Sequence, residues 1–105
     1  MEIKHISQNE YESILKDHKF VVIDFFADWC GPCQMLSPII NKLVEKHKDI
    51  YFCKVNVDQE NGLALGLGIA SIPTLIFYKD RKPINTIQGY RPLEEIELII
   101  KKTFN

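Results

Sequence analysis

Phe20-Val21-Val22-Ile23-Asp24-Phe25-Phe26-Ala27-Asp28-Trp29-Cys30-Gly31-Pro32-Cys33 is the stretch that decides the fold. Its first eight residues are β-branched and aromatic, with apolar side chains on both parities. A strand covered on both faces reads this way, so it is predicted to be central. Directly after it, Met35, Leu36, Ile39, Ile40, Leu43 and Val44 recur as an apolar helical stripe, with Lys42, Glu45, Lys46 and Lys48 on the wet side. Pro38 sits too deep in that pattern for a first-turn proline and predicts a kink. Two thiols two residues apart therefore stand at a strand-to-helix junction, where they can close a small disulfide ring and open it again.

The junction matters because a helix N-terminus carries unpaired N–H groups and the positive end of the macrodipole, which stabilise a thiolate in the first turn. Cys30 is expected to have a lowered pKa, and the thiolate is the form that attacks a disulfide. Pro32 removes a donor that would be unpaired anyway, and Gly31 allows a sharp turn and the close approach of a partner backbone. Cys33, one helical step further in, is the natural resolving thiol.

Outward from this stretch the chain alternates strands and helices. Ile3 to Ile6 reads as a short strand. Ser7-Gln8-Asn9-Glu10 has capping-box spacing and opens a helix, with Tyr11, Ile14 and Leu15 repeating, that is predicted to run to about Lys16. Ile50 to Val57 is a further strand, and a glycine-interrupted helix follows around Asn61 to Leu67. Thr74 to Tyr78, the polar turn Asp80-Arg81-Lys82, and Ile84 to Ile87 predict an antiparallel hairpin. Gly89 ends it, and Pro92 starts a last helix with Leu93, Ile96, Ile99 and Ile100 inward. No linker, repeat or low-complexity segment interrupts the 105 residues, which are expected to form one domain over 1–105.

Composition narrows the function classes. An apolar share of 46% and a charged share of 26% are those of an ordinary soluble domain. A formal net charge of −1 gives no electrostatic case for nucleic acid or membrane partners. Met1-Glu2-Ile3-Lys4-His5 lacks the apolar core of a signal peptide, and no apolar run reaches membrane-spanning length. Three cysteines, an odd count without a leader, predict a reducing compartment, where a CxxC pair is catalytic or metal-binding.

Trp29-Cys30-Gly31-Pro32-Cys33 after a buried strand, Asp24 inside that strand, Lys54 and Asp58 in and after the next, Ile72-Pro73-Thr74 further on and Gly89 before the last helix together resemble the thioredoxin family over essentially the whole chain. The resemblance implies an α/β thioredoxin fold, with a central mixed sheet of about five strands flanked by about four helices. It implies a protein disulfide reductase acting as an electron carrier in cell redox homeostasis. Cys30 would attack client disulfides and Cys33 would resolve the mixed disulfide. It also implies client proteins with reducible disulfides, a thioredoxin reductase as electron donor, a monomer, a cytoplasmic location, and no metal or organic cofactor. The pattern departs from the family at Phe26, where tryptophan is frequent, at the glycine-free turn Asp80-Arg81-Lys82, and at bulky Tyr90 after Gly89.

Single residues carry further expectations. Asp24 has apolar same-parity neighbours in Val22 and Phe26, so its carboxyl loses hydration and its pKa is expected to rise. Beneath the cysteines it would accept and return the Cys33 proton. Lys54 is either its partner or a solvated strand-edge lysine. The resemblance implies a cis Ile72–Pro73 bond packed beside the disulfide, exposing the Ile72 backbone to a client peptide as an added strand. Trp29 shields Cys30 and offers clients a flat apolar contact, or simply packs; Gly89 leaves room for the client, or simply ends a strand. Cys53, in an apolar strand, reads as a small buried hydrophobe. Three alternatives to a reductase stay open on the sequence: half of a structural zinc site, completed from Cys53, His5, His18 and His47; a binding module that uses the fold as a scaffold; and a dithiol oxidase or isomerase.

Overall fold

The computed structural model describes residues 3–104; of the expected domain span, Met1, Glu2 and Asn105 lie outside the described residues. In chain order the elements are β1 (Lys4–His5), α1 (Gln8–Asp17), β2 (Phe20–Phe26), α2 (Gly31–Lys46), β3 (Tyr51–Asn56), α3 (Asn61–Gly66), β4 (Thr74–Lys79), β5 (Lys82–Gln88) and α4 (Leu93–Phe104). The strands form one sheet in the order β1-β3-β2-β4-β5, with β1, β3 and β2 parallel and β4 and β5 antiparallel to their neighbours. β2 is the middle strand, as its apolar run on both parities predicts.

Its two parities serve two cores. Val21, Ile23 and Phe25 pack with Ile14 and Leu15 of α1 and Leu63 of α3. Val22 packs on the other face with Leu36, Ile40 and Leu43 of α2 and Ile96 and Ile100 of α4. Each fully buried side chain of this size contributes about 1.5–3 kcal/mol relative to an exposed one, so two layers of helix are what make a continuous apolar strand stable.

Local signals account for most element ends. Glu10 Oε1 accepts the Ser7 backbone N–H at 3.0 Å, closing the front of α1. The predicted strand over Ile3 to Ile6 contracts to Lys4–His5, because only those residues have ladder partners on β3. α2 begins at Gly31, with Cys30 as its N-cap, and continues through Pro38 to Lys46 without a break. Met35, expected in the apolar stripe, is 60% exposed. It stands one turn before Ile39, which is partly buried against the α2-side core, and joins none of the buried clusters. Lys54 is not on an edge strand, since β3 lies between β1 and β2.

The β4–β5 hairpin turns on Asp80 and Arg81, with φ of 51° and 73°. Lys79 pairs with Lys82, so these two residues form a two-residue loop with positive φ at both central positions. Such a loop matches strand twist and ordinarily recruits Asn-Gly or Asp-Gly.

Candidate active site

The loop after β2 brings Trp29 and Cys30 to the start of α2. Cys30 is the N-cap residue, in extended conformation, and its Sγ accepts the Cys33 backbone N–H at 3.2 Å. A sulfur at this position meets one of the unpaired donors of the helix N-terminus and the positive end of its dipole, both of which favour an anion. Cys30 and Cys33 are joined as a disulfide with their Cα atoms 5.3 Å apart. Both are nearly inaccessible in this state and pack with Phe26 and Ala27. Pro32 occupies the first turn, where its missing N–H leaves no unpaired acceptor. Gly31 has an unstrained φ and a Cβ there would meet nothing within 4 Å, so the sharp turn expected of it is not needed. What remains is an exposed, side-chain-free surface beside Cys30.

The antiparallel register of β2 and β4 pairs Phe25 with Thr74 and so sets the beginning of β4 against the end of β2. Ile72 and Pro73 precede Thr74, and Ile72 packs on the cysteine cluster. The Ile72–Pro73 bond is cis. Thr74 Oγ1 donates to the Ser71 carbonyl at 2.6 Å, and the Gly89 N–H donates to the Pro73 carbonyl at 2.7 Å, tying the loop to the end of β5. Gly89 has a φ of +87°, a conformation that only glycine adopts without strain.

Asp24 is 1% exposed, and neither of its carboxylate oxygens has a hydrogen-bond partner among the described residues. It shares a parity with Val22 and Phe26, which places it on the α2 face between the main core and the cysteine cluster. Burial pushes its carboxyl up to about 6, and the Lys54 charge acts in the opposite direction. Lys54 is its ladder partner on β3. The Lys54 ammonium donates to Ser37 Oγ at 3.3 Å and stands 4.8 Å from the centre of the Phe26 ring. A cavity of about 190 Å³ opens here, lined by Cys33, Ser37, Lys54 and Phe26 among others, and it is roomy and polar enough to admit water.

Trp29 is 72% exposed, and its indole N–H donates to Asp58 Oδ2 at 2.9 Å. Asp58 sits in a turn whose backbone N–H groups at Asp58 and Gln59 donate to Asn56 Oδ1 at 2.9 and 3.2 Å. Asn56 and Ser37 carry no signal for this site in the residues alone, and Asp58 enters there only as part of the family pattern, with no role attached. Asn56 closing β3 and Asp58 two residues on is a turn signal, but no sequence signal links it to Trp29. Cys53 is buried on the opposite face of the sheet, and burial pushes its thiol up to about 12. Among the described residues, no three His, Cys, Asp or Glu side chains converge to hold a metal ion.

A family model described as Thioredoxin matches residues 2–102. The chain is 41% identical over 100 residues to thioredoxin of Mycoplasmoides gallisepticum, covering 94% of this chain and 100% of that one. It is 45% identical over 87 residues to thioredoxin-2 of Saccharomyces cerevisiae, covering 82% and 84%. The solved structure of oxidised mitochondrial thioredoxin 3 from Saccharomyces cerevisiae superposes with a TM-score of 0.89 at 33% identity, over 95% of this chain and 94% of that one.

Proposed function

The chain belongs to the thioredoxin family of thiol-disulfide oxidoreductases and has its fold, and on that premise we propose how its residues divide the work of a protein disulfide reductase. Cys30 is the attacking thiol. Its thiolate attacks one sulfur of a client disulfide; a Cys30–client bond forms, the client S–S bond breaks, and the released client sulfur takes a proton. Asp24 then accepts the Cys33 proton, and the Cys33 thiolate attacks Cys30 Sγ. The Cys30–Cys33 bond forms, the mixed disulfide breaks, and the second client sulfur leaves as a thiol once protonated. Two electrons and two protons have passed to the client.

The observation that carries this division is the Cys33 N–H donating to Cys30 Sγ at 3.2 Å, which makes Cys30 the sulfur at the helix mouth and the better anion. Asp24 suits the acceptor role because a carboxyl raised toward the thiol range exchanges a proton with a thiol more readily than an ordinary one. Trp29, Gly31, Pro32, Ile72 and Pro73 form the surface on which a client strand lies, with Gly89 leaving it room.

Members of the family reduce disulfides of client proteins, take electrons from a thioredoxin reductase and serve cell redox homeostasis. For this chain we infer the same two partners, a single domain over 1–105, a monomer, and work in the cytoplasm. No helix among the described residues is long and apolar enough to cross a membrane.

Trapping tests the division of labour. Cys33→Ser incubated with oxidised cell proteins accumulates mixed disulfides at Cys30 that dithiothreitol releases, and Cys30→Ser accumulates none. Adducts on Cys30→Ser and none on Cys33→Ser would reverse the roles.

A further inference from the structure

We propose that Ser37 is a positioning residue of this site: its hydroxyl, with the face of Phe26, holds the Lys54 ammonium off the Asp24 carboxylate and so preserves that carboxyl as a proton acceptor. The proposal rests on the reading of Asp24 as the group that takes the Cys33 proton.

Asp24 and Lys54 are ladder partners on adjacent parallel strands and project to the same face. Opposite charges so placed on a buried face ordinarily close into an ion pair, since an unpaired buried charge is costly. Here they do not. Both Asp24 oxygens are unpartnered, while the ammonium points to Ser37 Oγ at 3.3 Å and lies over Phe26 at 4.8 Å. Ser37 follows Cys33 by four residues, so the helix sets its hydroxyl on the same side as the resolving thiol, and both line the 190 Å³ opening.

Charge balance gives the arrangement a consequence. An opposite charge within about 4–6 Å lowers a carboxyl by about 1–3 pKa units, which would return Asp24 to an ordinary carboxylate with little affinity for a thiol proton. With the ammonium tethered at the mouth, burial dominates over Lys54. Asp28, in the loop after β2, lines the same opening, and among the described residues Lys54 is the charge that acts on the Asp24 carboxyl. β4 presents Leu75 in the same register and α4 presents Ile96 and Ile100. Cys33 of α2 is the reacting thiol. His5 of β1 continues the row beyond Lys54, exposed and edge-on to Phe26 at 5.2 Å, and Cys53 packs on the far face.

The test follows the Asp24 carboxyl carbon by NMR through a pH titration of the reduced protein. Ser37→Ala is expected to move the Asp24 midpoint down by about one unit, because the released ammonium closes on the carboxylate. Ser37→Thr keeps the hydroxyl and the original midpoint, and Lys54→Met moves it up. Alanine is the better helix former, so the variant retains α2. An unchanged or raised midpoint in Ser37→Ala overturns the proposal. The underlying reading fails separately: if Asp24→Asn leaves the pH profile of client reduction unaltered, Asp24 is not the acceptor, and the role proposed for Ser37 falls with it whatever the titration shows.

Discussion

The indole N–H of Trp29 donates to Asp58 Oδ2 at 2.9 Å across 29 residues of sequence, holding an exposed ring in one orientation beside Cys30. A flat apolar surface fixed before a client arrives loses less side-chain freedom on binding than a mobile one. Asp58→Ala is expected to lower kcat/KM for a protein disulfide client about 3- to 10-fold, roughly the worth of one hydrogen bond, with the loss mostly in KM. Reduction of a small aromatic disulfide should be unchanged. An equal loss on both substrates would mean that the contact acts on the cysteines and not on the client.

Asp24 makes stability depend on pH in a defined direction. Its folded carboxyl is raised from 3.8 to about 6, so the native state holds a proton that the unfolded chain gives up. Below the unfolded value the group costs nothing. As pH climbs from about 4 through 6 the native state loses up to ~3 kcal/mol, and the penalty is complete above that window. Asp24→Asn should therefore raise the denaturation midpoint at pH 7.5, with the gain shrinking to nothing near pH 4. Chemical denaturation at the two pH values measures it.

Arg81 carries strain that bears on no functional residue. With a φ of 73° at the second position of the hairpin turn, it holds a left-handed conformation that costs a side-chain-bearing residue about 1–2 kcal/mol. Arg81→Gly should stabilise the protein by about 1 kcal/mol, less the chain entropy that glycine adds to the unfolded state. Client reduction should not change, because the turn lies at the end of the hairpin away from Pro73 and Gly89.

Cys53 predicts how the thiols count. It is 1% exposed and its thiol is pushed up to about 12 by burial first, then by the Asp24 charge. Oxidation should consume two of the three thiols, and the one that remains should react with a maleimide only after the chain is unfolded. A rapidly labelled third thiol would mean that the Cys53 side of the sheet opens readily.

The elements were legible in the residues because their signals are local. The apolar run from Phe20 to Ala27 identifies a central strand, the stripe from Leu36 to Leu43 a helix under it, and Cys30-Gly31-Pro32-Cys33 a redox pair at their junction. Asp24 was legible as a buried acid from its apolar neighbours alone. Met35 departs from the stripe because helical periodicity says which side a residue faces, not how far the partner surface extends.

Ser37, Asp58 and the state of Lys54 depended on register and strand order instead. Sequence by itself determined which segments form strands and helices, where the sulfurs stand relative to a helix start, and that a carboxyl must be buried nearby. Only the tertiary structure decided that β3 lies inside the sheet beside β2, that its lysine turns to a serine on α2 instead of to Asp24, and that the turn after β3 reaches Trp29. Backbone preference and side-chain periodicity act over a few residues, whereas these contacts join groups 17 to 30 positions apart, whose meeting is set by how two layers of helix pack on one twisted sheet.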